Sequence, residues 1–253
     1  MKLKKYKVIL NLIVVVLLSN SIHPKSKFSN QLPNDVVHAK TVDEIFALIM
    51  PILPINPIII EAGAYDGSDS VKMAKFWPQG RVHSFEPVPE LCLKVMKKTK
   101  DYRNISSYQY ALSDKEGHAD FYVSSFEKTP DAPSASSSLL KPAKHLDVCQ
   151  NIIFKKKISV ETTTIDVWAE KNRIDHVDFI WLDTQGSELS ILKSSPNILK
   201  TVKAVFTEVE FIEAYKDQPL FKDVRKLMEN NGFTLAAVRM YSWSADVLFV
   251  RQK

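Results

Sequence analysis

The stretch Ile58-Ile59-Ile60-Glu61-Ala62-Gly63-Ala64-Tyr65-Asp66-Gly67 limits the possible folds more than any other part of the chain. An aliphatic run without polar alternation is the pattern of a strand buried on both faces, as parallel strands are. The run ends in an acid and passes into a tight turn with two glycines, which permit backbone angles and close approaches that a β-carbon would obstruct. Ser68, Asp69 and Ser70 then offer side-chain oxygens able to cap a new helix, whose first N–H groups would face a ligand. Nineteen residues beyond Gly67 a second strand-like run, Arg81-Val82-His83-Ser84-Phe85, ends in Glu86. An acid at that distance is placed to accept hydrogen bonds from the hydroxyls of a ribose. The pair reads as the nucleoside-binding half of a doubly wound α/β sheet.

The pair alone does not choose the ligand. A dinucleotide fingerprint asks for Gly-x-Gly-x-x-Gly, whereas the spacing here is Gly63-x-x-x-Gly67. A pyrophosphate needs a very close backbone, which this loop supplies only in part. S-adenosylmethionine carries no phosphate, so a looser loop suffices. Methyl-donor binding, dinucleotide binding and a sheet turn without a ligand are the three readings.

A length of 253 residues suits one large α/β domain with additions. Lys2, Lys4, Lys5 and Lys7 precede the apolar run Val8 to Leu18, and residues 1–21 contain no acid. Of the 34 basic side chains these four leave 30 against 29 acidic ones, so the net charge of +5 belongs to the N-terminus. A nucleic-acid-binding surface has no support in that balance. Eleven residues, all apolar but Asn11, are too few to span a bilayer and match a signal-peptide core, with Ser19-Asn20-Ser21 where a peptidase needs small residues. Residues 1–21 therefore read as a signal peptide or short membrane anchor, 22–40 as a polar linker, and 41–253 as the domain.

Further along, Thr41 to Glu44 fits a capping box for a helix through Ile45, Leu48 and Ile49. Asp69 to Trp77 reads as a helix, and Pro89 opens another. Cys92 and Cys149 lack any CxxC spacing and read as unpaired thiols, with no metal site. Ile105 to Leu112 is a third strand and His118 to Val123 an exposed one. Residues 124–150, with the run Ser134 to Ser138, have no period and read as a flap over the acceptor site or a solvated insertion. Ile152 to Val160 is a strand whose Lys155-Lys156-Lys157 marks a solvated edge.

Val177-Asp178-Phe179-Ile180-Trp181-Leu182-Asp183-Thr184-Gln185-Gly186-Ser187-Glu188 repeats the logic of the first stretch: buried strand, acid, glycine turn, helix. Asp183 should face the same crevice as Glu61 and Glu86. Lys203 to Glu210 adds a strand whose Glu208 and Glu210 point to one side, toward the crevice or its rim. Leu220 to Asn231 is a helix ended by Gly232, and Phe233 to Val238 with Ala245 to Val250 form a closing antiparallel pair.

Taken in order and spacing, EAGAYDG, HSFEP, ALSDKEG, ETTTIDVW, VDFIWLDTQGSE and NGF…ADVLFV resemble the FkbM-type family of S-adenosylmethionine-dependent methyltransferases, over about residues 57 to 250. The resemblance implies a Rossmann-like class I methyltransferase fold: a seven-stranded, mostly parallel sheet, its last strand antiparallel, with helices on both faces. It implies O-methylation of a hydroxyl on a sugar or other small metabolite. Carried over by position, Glu61, Gly63, Ala64 and Gly67 would surround the methionine part of the donor. Glu86 would hold the ribose, Tyr110, Ala111 and Leu112 would lie near the adenine, and Asp183 would sit at the methyl-transfer end. Family members commonly show Glu-Gly-x-Glu after the aspartate, whereas this chain has Gln185-Gly186-Ser187-Glu188. Trp181-Leu182 also stands where a lysine and an isoleucine are frequent.

Asp183 is the first candidate base, since a strand-end acid is readily desolvated and its pKa raised. His145, on the flap, is a further candidate, while His83, inside a strand, reads as structural. A dinucleotide-dependent oxidoreductase and a non-catalytic nucleoside-binding domain are the competing functions. The N-terminal segment points to export or membrane contact, whereas the supply of a cytosolic donor points to the cytoplasm.

Overall fold

The computed structural model describes residues 28–33 and 35–252. Ile58–Ala62 (β2), buried along its whole length, lies within an eight-stranded sheet. Its parallel neighbours are Arg81–Phe85 (β3) and Phe179–Leu182 (β9). Ile105–Tyr108 (β4) lies beyond β3 and Ala204–Glu210 (β10) beyond β9, both again parallel. The chain closes with Phe233–Met240 (β11) and Ser244–Arg251 (β12), a hairpin whose second strand inserts antiparallel beside β10. These are the seven expected strands with the last antiparallel, and Val37–His38 (β1) adds a short parallel edge on β11.

Period-two alternation divides the core. Ile58, Ile60 and Leu182 face a layer containing Trp168, Leu192 and Phe221, contributed by helices Ile165–Lys171, Glu188–Lys193 and Phe221–Asn230. Ile59, Trp181 and Phe206 face Phe46, Met73 and Trp77, packed there by helix Val42–Ile49 (α1) and helix Ser68–Phe76 (α2). Thr41 caps α1 by accepting from the Glu44 N–H at 3.2 Å, while Glu44 reaches back to the N–H of Lys40. Helix Pro89–Thr99 (α3) has proline in its first turn, as expected.

Three readings of the sequence change. Residues 28–33 and 35–40 do not behave as a linker: Leu32, Val36 and Ala39 are buried, and Phe28 stacks on Phe211 at 5.0 Å between centroids. Their apolar side chains give this polar-looking stretch a way to cover the sheet edge. The run Ile105 to Leu112 breaks at Gln109-Tyr110, after which Ala111–Leu112 (β5) joins a second sheet with Gly117–Phe126 (β6), Thr129–Pro133 (β7) and Ile152–Thr163 (β8). The side-chain oxygens expected to cap α2 do not do so, because Gly67 holds its N-cap with φ 78°. The signal or anchor reading falls on residues 1–21, outside the described residues. Among the described residues no helix is long and apolar enough to cross a membrane, and both cysteines are free.

Candidate active site

Strand order reverses between β2 and β9, and a crevice opens at their carboxyl ends, where open α/β sheets bind ligands. The two acid–glycine turns meet there. The Asp183 N–H donates to the Ala62 carbonyl at 3.0 Å. Gly63 lies at φ 84°, and a β-carbon on it would stand 1.9 Å from the Asp183 carbonyl oxygen. Only glycine lets the turns approach so closely. Gly67 answers a different need, since a β-carbon there would press on Val95 of α3 at 3.2 Å.

Five N–H groups of the first turn and the start of its helix, those of Gly63, Ala64, Tyr65, Gly67 and Ser68, are used inside the protein and, contrary to expectation, do not face a ligand. Gly63 and Ala64 both donate to the Phe85 carbonyl, Gly67 to that of Ala64, and Ser68 to the Asp66 carboxylate. Tyr65 donates to Glu86 Oε2 at 2.9 Å and Val88 to Oε1 at 3.0 Å. These two bonds aim the buried Glu86 carboxyl into the crevice. Burial raises its pKa to about 7, against the pull of the two N–H groups.

A cleft lies over Glu86. Its apolar wall is Phe85, Leu91, Leu112 and Phe121, with Tyr110 and Ala111 alongside and Gly63 and Asp183 at its base. Among the described residues its lining holds two acids and no basic side chain. Glu61, Ala64 and Gly67 do not line it. Glu61 follows the alternation of Ile59 onto the α2 face, where it accepts from the Ser70 hydroxyl, itself 2.9 Å from that of Ser84. Burial there lifts the Glu61 carboxyl to about 8.

Asp183 also borders a second, wider cavity formed with Asp69, Trp181, Gln185, Glu208 and the β11–β12 hairpin. The sheet register builds this wall: Glu208 lies opposite Asp246 on β12, which lies opposite Arg239 on β11. Like charges set directly across an antiparallel pair are unfavourable, so the arrangement is not there for stability. Asp183 is exposed to this cavity, but protein walls strip away bulk water and raise its carboxyl to about 6. The Gln185 hydrogen bond opposes that rise and the charge of Glu188 adds to it. Glu208 is also pushed up, by its burial and by the charge of Asp183. Asp246 rises to about 6, again chiefly by burial.

Glu188 shapes the turn after Asp183, accepting from the N–H groups of Thr184 and Gly186 at 2.8 and 2.9 Å. Residues 124–150 do form a cover, but over the first cleft: Ser134, Ala135, Ser137 and Leu139 line it. His145 is not part of either cavity. It is 1% exposed among Phe154, Tyr215 and Trp243, and burial lowers its pKa. His83 is likewise enclosed, against Trp168 and within 3.2 Å of the Tyr108 hydroxyl, as a structural residue would be. The sequence reading overlooked Arg239, Tyr241 and Asp246. An acid interrupting the apolar run of β12 was the available signal for Asp246.

The sequence matches the methyltransferase FkbM domain over residues 61–235. The 2-O-methyltransferase NoeI of Sinorhizobium fredii is 27% identical over 198 residues, 78% of this chain and 81% of that protein. Methyltransferase sdnD of Sordaria araneosa is 24% identical over 220 residues, 77% of this chain and 80% of that protein. Among solved structures, an Aeropyrum pernix fibrillarin with natively bound S-adenosyl-L-methionine aligns with a TM-score of 0.46 and 13% identity, over 82% of this chain and 74% of that one.

Proposed function

The chain belongs to the FkbM-domain methyltransferases, and from that premise we propose that the cleft over Glu86 holds S-adenosylmethionine while the second cavity presents a hydroxyl of a small acceptor to Asp183. The observation that carries this reading is the position of Asp183 in the wall common to both cavities. A group that must touch donor and acceptor at once has to stand there.

The cleft residues fit the donor. Glu86 offers a carboxylate to a ribose diol, and Phe85, Leu91, Leu112 and Phe121 offer an apolar slot of adenine character. Two acids and no cation suit a ligand with a sulfonium and an ammonium. They do not suit a pyrophosphate, which would meet Glu86 and Asp183 with no lysine or arginine among the described lining residues. This weighs against the dinucleotide alternative.

When bound, the donor supplies an electrophilic methyl group on its sulfonium, so the protein's task is alignment and proton removal. Asp183, with its carboxyl near 6, is largely ionised at neutral pH yet basic enough to take the proton of an acceptor hydroxyl. Ser134, Ala135 and Leu139 line the cleft and would shield a bound donor from water. The second cavity, rich in carboxylates and edged by Trp181 and Tyr241, suits a polyhydroxylated acceptor, whose hydroxyls donate to carboxylates. The naming of one relative as a 2-O-methyltransferase supports oxygen as the accepting atom. Incubation with methyl-labelled S-adenosylmethionine and a panel of glycosides tests the assignment. Labelled O-methyl product that disappears in Asp183→Asn is expected, and label on nitrogen or carbon would overturn it.

A further inference from the structure

Gln185 stands where four structural parts meet. Its backbone is left-handed, at φ 57°, a conformation that a non-glycine residue adopts only when its surroundings hold it there. Its Nε2 donates to Asp183 Oδ1 at 2.8 Å and to Glu208 Oε2 at 2.5 Å, which uses both amide hydrogens. Its Oε1 accepts from the Tyr215 hydroxyl at 2.9 Å, and that hydroxyl also lies 2.8 Å from the Ser136 carbonyl. Its own carbonyl accepts from Ser138 at 2.7 Å. The next residue, Gly186, has φ 107°, and a β-carbon there would stand 2.9 Å from Leu140. Ser136, Ser138 and Leu140 are the chain neighbours of Ala135, Ser137 and Leu139, which line the donor cleft, whereas Glu208 lines the second cavity and not that cleft.

The orientation of the amide follows from chemistry. Turned over, it would set its oxygen against two carboxylates. A glutamate at this position would place a third carboxylate beside Asp183 and Glu208. Glutamine instead joins them through a neutral donor and keeps an acceptor for Tyr215.

We propose that Gln185 is a positioning residue that couples the cover of the donor cleft to the orientation of Asp183 and Glu208 on the acceptor side. Closure of the cover through Ser138 and Tyr215 fixes the amide, and the fixed amide holds both carboxylates where the acceptor arrives. The coupling is reciprocal, so a change at Glu208 is felt at the cover.

The inference rests on the donor reading of the cleft, and its test separates the two. S-adenosylhomocysteine affinity and amide hydrogen exchange across residues 134–140 are measured for the wild type, Glu208→Ala, Gln185→Ala and the double variant. Coupling predicts that Glu208→Ala, although outside the donor cleft, weakens S-adenosylhomocysteine about fivefold or more and speeds exchange in the cover by a similar factor. In the Gln185→Ala background the same substitution should then change neither. Equal effects of Glu208→Ala in both backgrounds, or none in either, would overturn the coupling. If the wild type fails to bind S-adenosylhomocysteine, the donor reading fails, and exchange in the unliganded protein still decides the coupling. Should Gln185→Ala not fold, Tyr215→Phe removes one hydroxyl from the same link. It should speed exchange in the cover and weaken the response to Glu208→Ala, and an unchanged response would overturn the proposal.

Discussion

Glu61 and Glu86 end adjacent strands, yet the structure gives them opposite work. Glu86 turns into the cleft on two backbone N–H groups, while Glu61 is sealed against Ser70 behind it. Glu86→Ala should weaken S-adenosylhomocysteine by about 1–3 kcal/mol, since ribose hydroxyls would lose a charged acceptor. Its carboxyl lies near 7, so the wild-type affinity should fall as pH drops below that value, because the carboxyl must first lose its proton. Calorimetry across that range, with Glu86→Gln showing no such slope, checks both statements. Glu61 acts on stability instead. Its pKa is raised from 4.5 to about 8, so between those values the folded state holds a proton that the unfolded chain has released. Its contribution is therefore intact at low pH and is lost as pH rises through about 8. Thermal unfolding of Glu61→Gln against wild type should show a flatter decline between pH 4.5 and about 8. Asp183→Asn should bind donor within a few-fold of wild type while slowing methyl transfer by roughly two to four orders of magnitude. An equally active variant would remove Asp183 as the base, a role His145 cannot inherit from its enclosed position.

Elements differ in how openly the sequence declares them. β2 and β9 are apolar runs followed by an acid and a glycine turn, a pattern set by burial on both faces, and β3 and β10 likewise lead to an acid at the strand end. Glu86 and Asp183 were legible for the same reason, as polar atoms where a buried strand leaves the core. Glu61 was placed in the cleft because a strand-end acid does not reveal its face, which its alternation with Ile59 decides. β1, β7 and the β4–β5 break were not legible, since pairing with distant strands creates them. The same holds for the row Glu208, Asp246 and Arg239, which exists only through hairpin register. The acid–glycine turns themselves make a sharp prediction. Gly232 also has positive φ, but its added β-carbon would meet nothing closer than 3.7 Å. Gly232→Ala should then cost only the left-handed backbone penalty of about 1–2 kcal/mol. Gly63→Ala adds a 1.9 Å clash with the Asp183 carbonyl and should cost several times more in denaturant unfolding.

At the scale of the whole molecule, the domain starts earlier than its first predicted helix. Phe28, Leu32, Val36 and Ala39 cover sheet edge and core, whereas the proposal for residues 1–21 is a targeting role with no share in the fold. A chain starting at Ile22 should match the full chain in melting temperature and donor affinity, and one starting at Thr41 should melt lower. Loss of folding in the Ile22 chain would make the apolar segment part of the domain. The central claim, a phosphate-free methyl-donor cleft anchored by Glu86, is tested most directly by calorimetric titration of the wild-type protein with S-adenosylhomocysteine and with NAD. One-to-one binding of S-adenosylhomocysteine, sharply weakened in Glu86→Ala, with no heat from NAD, is the predicted result. Binding of NAD, or S-adenosylhomocysteine affinity unchanged in a folded Glu86→Ala protein, would contradict it.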